Sequence, residues 1–145
     1  MKKKFLVLTT ALMMAFSATF AHDTKLVPNA IVNELHQQFD NADNVQWQTT
    51  ANFYEASFKL NGQQLKAFYA FDGKMIGVSR EINITQLPMA LLKEVKEKTA
   101  TNTVTDLFEL LTDRGTEYFI TYKNNKAVAT TYKSSGDDWI RYEAM

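Results

Sequence analysis

Residues 54–69 read YEASFKLNGQQLKAFY and contain the strongest short hairpin signal of the chain. The Asn-Gly dipeptide at 61–62 tolerates the two positive φ angles of a type I′ turn, so it predicts a tight β-hairpin. A two-residue loop fixes the register and places Tyr54 opposite Tyr69. Apolar residues then alternate onto one face, which indicates antiparallel strands that bury one side against a core.

The sequence around this hairpin repeats with an offset of 60 residues. Pro28 and Pro88 each open a segment with apolar residues at helical spacing. Proline at the first helical position loses no hydrogen bond that the helix needs. The pattern therefore predicts helices at about 28–39 and 88–98.

The repetition extends to the strands that follow each helix. A three-residue loop at 124–126 in the second copy sets Tyr118 opposite Tyr132, as Tyr54 faces Tyr69 in the first. We therefore predict an α+β fold of two tandem repeats, each a helix plus about four antiparallel strands, that form a sheet with the helices packed on one face. The repeats span about 27–82 and 87–145.

The N-terminus has the pattern of a signal peptide. Three lysines at 2–4 precede an apolar run at 5–20, and the small residues of Thr19-Phe20-Ala21 suit signal peptidase cleavage before His22. This run is too short to span a bilayer comfortably, so residues 1–21 are predicted to be removed on export. Residues 22–145 would remain as a single domain in the periplasm or outside the cell.

Composition excludes several classes of function. The 145 residues include 16 basic and 16 acidic side chains and no cysteine. Loss of the three leader lysines leaves 13 basic residues and a net charge of −3. An acidic domain is a poor match for nucleic acid or anionic membranes, and the lack of cysteine excludes a disulfide scaffold. We expect no membrane insertion after removal of the signal.

The sequence offers little for catalysis or metal binding. No serine lies in a nucleophile-elbow setting and no glycine-rich phosphate loop is present. His22 and His36 could bind copper, but termini are usually mobile and His36 lies on a different helical face from Glu34. Asp137-Asp138 could suggest calcium, but two adjacent carboxylates are too few ligands for a calcium loop. We therefore predict a protein that is not an enzyme and has no catalytic residue, metal site or cofactor.

The order of short motifs resembles a known family. The chain carries, in sequence, a Val-Pro helix that ends in Phe39, then Val45-Gln46-Trp47, Tyr54 to Phe58, Ala67-Phe68-Tyr69 running to Asp72-Gly73, and Leu87-Pro88. It resembles the PepSY-like exported domain proteins of Bacteroidetes, which are grouped with β-lactamase-inhibitor-like folds. This resemblance implies tandem units of helices against antiparallel strands and roles as binding or inhibitory modules.

Two phenylalanines stand apart from the predicted core. The hairpin registers direct Phe68 and Phe119 to the opposite sheet face, among Lys66, Glu55 and Lys123. Aromatic anchors with a polar rim are typical of protein interfaces, so these five residues form the hypothetical partner-binding site. The alternative is that a loop, the chain end or a dimer mate covers the two rings.

The sequence thus predicts a non-catalytic binding module for an envelope or secreted protein or peptide, and inhibition of that partner is one form that such binding can take. The alternative function is a periplasmic carrier of a small ligand or metal, with aromatic residues lining a groove between the repeats. A homodimer is compatible with either function.

Overall fold

The computed structural model describes residues 26–143. The predicted signal peptide, residues 1–21, lies outside the described residues. Helix α1 spans Asn29–Gln38, helix α2 spans Met89–Lys98, and a 3-10 helix covers Ile84–Gln86. The strands are β1 (Ala42–Thr49), β2 (Tyr54–Leu60), β3 (Gln63–Tyr69), β4 (Met75–Glu81), β5 (Thr103–Thr112), β6 (Gly115–Lys123), β7 (Ala129–Ser135) and β8 (Asp138–Tyr142). Neither α-helix of the described residues 26–143 has the length and hydrophobicity of a membrane span.

Both predicted helices are confirmed, and a proline precedes each of them. The Pro28 carbonyl accepts hydrogen bonds from the amides of the first turn of α1, and the Pro88 carbonyl does the same for α2. Proline is compatible with this position because its fixed φ is close to the helical value and its missing N–H is not required there. Each helix buries two residues one turn apart, Ile31 and Leu35 in α1, Leu91 and Val95 in α2.

The β2–β3 hairpin has the predicted register. Tyr54 pairs with Tyr69 and Phe58 with Leu65. Asn61 and Gly62 take positive φ values of 51° and 83°, as a type I′ turn requires. The dipeptide therefore sets both the turn and the alignment of the strands.

The prediction of two tandem repeats, each with a helix plus about four strands, is wrong. Hydrogen bonding joins all strands in chain order from β1 to β8 in one sheet, accompanied by two helices. Strand β4, expected to complete the repeat at 27–82, pairs antiparallel with β5 from Gly77↔Thr112 to Glu81↔Phe108. Hydrophobic alternation identifies β4 as a strand, but it does not specify the neighbour with which the strand pairs.

The chain separates into two compact units whose boundary falls inside β4. The first covers the described residues 26–76, and the second covers Gly77–Glu143. The boundary therefore lies ten residues before the predicted start of the second repeat at 87.

In the first unit, aromatic residues connect α1 to the hairpin. Phe39, the residue that ends α1, packs on Phe58 with ring centroids 5.0 Å apart. Trp47 of β1 packs on Tyr69 of β3 at 5.8 Å. These contacts bury the hairpin face that the sequence predicts to be apolar.

In the second unit, α2 packs on a core drawn from β5, β6 and β8. The buried residues of this cluster are Ile82, Leu87, Leu91, Val95, Leu107, Ile120, Tyr122 and Trp139. The Trp139 indole Nε1–H donates to the Leu91 carbonyl at 3.1 Å, which ties the last strand to the helix.

The register predicted for the second hairpin is wrong by two residues. Tyr132 pairs with Ile120 instead of Tyr118, and the loop covers residues 124–128. The Asn124 side-chain Oδ1 accepts from the amides of Lys126 and Val128, at 2.9 and 3.0 Å. This side-chain cap stabilises a five-residue loop with Ala127 at φ 61°.

The two edge strands of the sheet differ in regularity. β1 carries a register shift between Asp43 and Gln46, with Asn44 at φ 53°. The pairing of β8 with β7 runs from Thr131↔Tyr142 to Ser135↔Asp138 without a shift. One edge is therefore bulged and the other is straight.

Candidate interaction face

In the first unit, the hairpin face opposite Tyr54 and Tyr69 carries a small cluster, here called the first cluster: Phe53, Glu55, Lys66 and Phe68. Phe68 lies directly opposite Glu55, because residues of one face alternate along β2 and β3. The Phe53 ring meets the Phe68 ring edge-on, with centroids 5.6 Å apart. Both rings are fully buried, so Phe53 is the cover over Phe68.

A buried carboxylate forms the polar part of the first cluster. Glu55 is 3% exposed, and its Oε1 accepts from the Lys66 ammonium at 2.9 Å and from the Ser57 hydroxyl at 3.4 Å. The Lys66 side chain retains 27% of its surface exposed. A carboxylate at this depth requires such a partner, because desolvation of an unpaired charge costs several kcal/mol.

In the second unit, the second cluster comprises Phe108, Glu117, Phe119, Lys133 and Tyr142. Phe108 and Phe119 face each other across β5 and β6 and stack with centroids 5.0 Å apart and rings nearly parallel at 8°. Tyr142 meets Phe119 edge-on at 5.7 Å. Phe119 is therefore covered by aromatic residues of its own unit.

The second cluster also contains an ion pair. Lys133 Nζ lies 2.9 Å from Glu117 Oε1 and 5.9 Å from the centre of the Phe119 ring. Both charged side chains are about one-fifth exposed. The pair thus forms a polar margin beside the stacked rings.

Ile140 of β8 extends this surface into solvent. It pairs directly with Lys133 and therefore lies on the same face as Phe119. Its exposed fraction is 51%, which is large for an aliphatic residue in a strand. This face therefore places an exposed aliphatic side chain beside buried aromatic rings and an ion pair.

Both clusters leave one carboxylate oxygen without a partner. Among the described residues, Glu55 Oε2 and Glu117 Oε2 are buried and receive no hydrogen bond. An unmade hydrogen bond at a buried polar atom costs about 1–3 kcal/mol. The same arrangement, a glutamate of β2 or β6 paired with a lysine of β3 or β7, occurs once in each unit.

The five site residues predicted from the sequence are divided between the two units. Glu55, Lys66 and Phe68 come together in the first unit. Phe119 lies in the second unit, and Lys123 ends the same strand as an exposed residue opposite Ala129. Residues that the sequence reasoning missed are Phe53, Phe108, Glu117, Lys133, Ile140 and Tyr142. Strand alternation along β5 and β7 could have identified Phe108 and Lys133.

Two tyrosines on the sheet face that packs against the helices have raised pKa values. Burial and the nearby Glu34 carboxylate raise the pKa of Tyr69 to about 12. Burial, Glu94 and Tyr132 raise the pKa of Tyr122 to about 12. Among the described residues, neither hydroxyl has a hydrogen-bond partner. Both groups are neutral donors at physiological pH and supply no general base.

Within residues 26–143, no three histidine, cysteine or acidic side chains are grouped so that they could hold a metal ion. His36 lies in α1, whereas His22 lies outside the described residues.

Neither a protein-family model nor a curated protein sequence matches the chain. Solved structures do match. A BLIP-like protein from Bacteroides fragilis is 22% identical, with a TM-score of 0.69 over 83% of this chain and 89% of that one. A DUF2874 family protein from Bacteroides uniformis is 15% identical, with a TM-score of 0.73 over 80% of this chain and 88% of that one.

A third similar structure is a candidate periplasmic protein from Bacteroides eggerthii, 12% identical, with a TM-score of 0.72 over 80% of this chain and 89% of that one. Identities this low establish shared architecture and no shared activity. The resemblance inferred from the sequence is thus confirmed for the fold: the chain has the BLIP-like fold of these Bacteroides proteins.

Proposed function

We propose that this chain is an exported, non-catalytic binding module that docks a protein or peptide on the sheet face bearing the second cluster. The observation that carries the proposal is Ile140, 51% exposed on the same face as the buried Phe108–Phe119 stack. A binding role is supported by the similar fold of a BLIP-like protein. A location in the periplasm or outside the cell is supported by the similar fold of a candidate periplasmic protein.

The burial of each side chain determines whether it supports the proposed face or contacts a partner. Phe119 supports this face from below, and Phe68 is buried within the first cluster of its own unit. Ile140, Lys133 and Lys123 are the side chains that a partner would touch. In the first unit, Lys66 would be a separate polar contact point because it is partly exposed, whereas Glu55 is buried and serves as its ion-pair partner. Buried aromatic support beneath an exposed anchor is typical of interface hot spots.

This arrangement determines which substitution tests the proposal. Replacing Phe68 and Phe119 by alanine would remove buried rings at about 3–5 kcal/mol each and unfold the chain, so loss of binding would be uninformative. Ile140→Glu places a charge on the exposed anchor and leaves the core intact. Leu111→Glu is the matched control, because Leu111 is 55% exposed on the other face of the sheet.

The experiment is crosslinking in cells with the tagged chain, followed by affinity capture and mass spectrometry. We expect a partner that is recovered with the wild type and with Leu111→Glu and is lost with Ile140→Glu, at equal melting temperatures. Recovery of the same partner with all three proteins would refute the assigned face. A bound small molecule in place of any protein would support the carrier function instead.

A further inference from the structure

Strand β8 closes the sheet of the second unit with a regular edge. Among the described residues, β7 is the strand that pairs with it, and their pairing has no register shift. The five residues of β8, Asp138–Tyr142, include neither lysine nor proline. Native proteins usually protect an edge strand from other chains with such residues or with a bulge. The outer edge of β8 has none of these protections.

The turn between β7 and β8 determines which backbone groups face outward. Ser135 pairs with Asp138 across a two-residue loop. The residues that flank such a loop exchange both backbone hydrogen bonds, and bonded and non-bonded pairs then alternate along the strands. Asp138 and Ile140 therefore direct their amides and carbonyls toward β7. The amides and carbonyls of Trp139 and Arg141 point away from β7, to the open edge.

These outward groups match a second copy of the same strand. When two identical antiparallel strands pair about a two-fold axis, one residue lies opposite itself. With Ile140 at that position, Trp139 of each copy lies opposite Arg141 of the other. Both residues carry outward backbone groups, so each of these pairs exchanges its hydrogen bonds. The Ile140 pair is then of the non-hydrogen-bonded kind, in which opposed side chains lie closest.

The side chains favour this register over its neighbours. A pair centred on Arg141, whose side chain is 66% exposed, would place two like charges opposite each other. A pair centred on Trp139 would bring Asp137, a residue of the turn, into the position opposite Arg141. In the pair centred on Ile140, the Arg141 cation instead lies beside the indole of Trp139, which is a favourable contact. Ile140, 51% exposed, gains an aliphatic neighbour.

We propose that β8 pairs with β8 of a second copy about a two-fold axis at Ile140, so that the sheet continues across a homodimer. The edge is five residues long and buries little area, so the dimer is weak and forms as the concentration rises. The two Ile140 side chains then stand side by side on the proposed protein-binding face. The pairing itself uses backbone groups and does not require that this face bind another protein.

Single cysteines test the pairing directly, because the chain has no cysteine of its own. We expect Ile140→Cys to form a covalent dimer under mild oxidation by glutathione disulfide, since two opposed residues at the axis lie within the Cα separation of a disulfide. Leu111→Cys is the matched control, 55% exposed on the other face of the sheet, and should crosslink at least about fivefold more slowly. Equal crosslinking rates for the two variants would overturn the proposal.

Arg141→Cys tests the register in the same assay. Each Arg141 lies opposite Trp139 in the proposed pair, so this variant should also crosslink at least about fivefold more slowly than Ile140→Cys. Faster crosslinking of Arg141→Cys would overturn the axis at Ile140, because a pair centred on Arg141 brings those two cysteines together.

Sedimentation equilibrium tests the dimer without crosslinking. Between about 10 µM and about 1 mM, the mean molar mass of the wild type should rise toward that of two copies. Arg141→Pro removes one outward amide and keeps the bonds to β7, so it should stay monomeric with a melting temperature near that of the wild type. A wild type that stays monomeric over the whole range, or a folded Arg141→Pro protein that dimerises equally, would refute the proposal.

Arg141→Pro also separates this inference from the proposed function, because it retains the exposed Ile140 side chain. Capture of a partner protein in cells by this monomeric variant is expected if the proposed face binds as a single copy. Loss of that capture would count against the proposed function and would leave the dimer measured for the wild type unaffected.

Discussion

Tyr69 and Tyr122 bury hydroxyl groups for which the described residues offer no hydrogen-bond partner. Both have a pKa raised to about 12 in the folded chain, against about 10 for a free tyrosine. Below pH 10 both states keep the proton and stability is unaffected. Above pH 10 the unfolded chain loses the proton first, so stability falls as pH rises toward 12.

The first prediction concerns this alkaline loss of stability. Tyr69→Phe and Tyr122→Phe should each reduce the fall in unfolding free energy between pH 8 and pH 11 by roughly 1 kcal/mol. Urea unfolding at the two pH values measures it, and the double variant should show about the sum of the two effects. A double variant that loses as much stability as the wild type would contradict the assignment.

Trp139 holds β8 to α2 through its bond to the Leu91 carbonyl. The second prediction is that Trp139→Phe destabilises the chain by about 1–3 kcal/mol, since it removes the buried donor and leaves a small void. Ile140→Ala, at the exposed neighbouring position, should change the unfolding free energy by less than about 0.5 kcal/mol. Equal effects in guanidinium unfolding would mean that Trp139 does not anchor the strand.

At the level of single residues, the sequence predicted on which face of the sheet a side chain lies. It did not predict whether that side chain is exposed to solvent. Phe68 lies beside Lys66 and opposite Glu55 as expected, because the Asn-Gly turn fixes β2 against β3. Its burial depends on Phe53, which lies one residue before the start of the strand. Phe119 is buried by Phe108, a pairing that requires the register between β5 and β6. The solvent exposure of a strand residue depends on contacts with residues of other segments. The alternation of apolar and polar residues along one strand does not reveal those contacts.

Among the turns, the one whose residues must adopt positive φ angles was predictable from the sequence. The turn whose length depends on side-chain hydrogen bonds was not. Asn61 and Gly62 require one loop length, and the predicted register followed. The Asn124–Val128 loop instead depends on the two bonds that the Asn124 side chain accepts. Those bonds lengthen the loop by two residues and shift Tyr132 onto Ile120.

Strand β4 lies close against β5 at Gly77. A Cβ atom at that position would lie 2.6 Å from the Leu111 carbonyl oxygen, a backbone atom of the paired strand. The third prediction is that Gly77→Ala destabilises the chain by about 1–3 kcal/mol, because the strands must separate to relieve the overlap.

Thermal unfolding compares this variant with Ser135→Ala, another substitution to alanine, at an exposed strand end. The control should unfold within about 2 °C of the wild type. A Gly77→Ala protein that melts with the control would show that β4 and β5 adjust without cost.

For the molecule as a whole, the boundary between compact units decides which fragments retain structure. Residues 77–143 keep β4 paired with β5 and retain Ile82 in the core cluster. A fragment of residues 87–143 follows the predicted repeat and lacks both. The fourth prediction is that the fragment starting at Gly77 melts roughly 10 °C or more above the fragment starting at Leu87, because it buries additional apolar surface.

Circular dichroism of the two fragments measures this difference, with the intact chain as reference. Equal melting curves would place β4 outside the folding unit that includes β5.

The two edge strands of the sheet differ in how well each could accept a strand from another molecule. A filament grows head to tail, which requires that one edge of each molecule accept the opposite edge of the next. The bulge at Asn44 makes β1 a poor acceptor, whereas β8 is straight. A pairing of β8 with β8 about a two-fold axis would consume the straight edge of both molecules. An assembly built through β8 alone would stop at two copies, because the irregular β1 offers no regular edge to a third molecule.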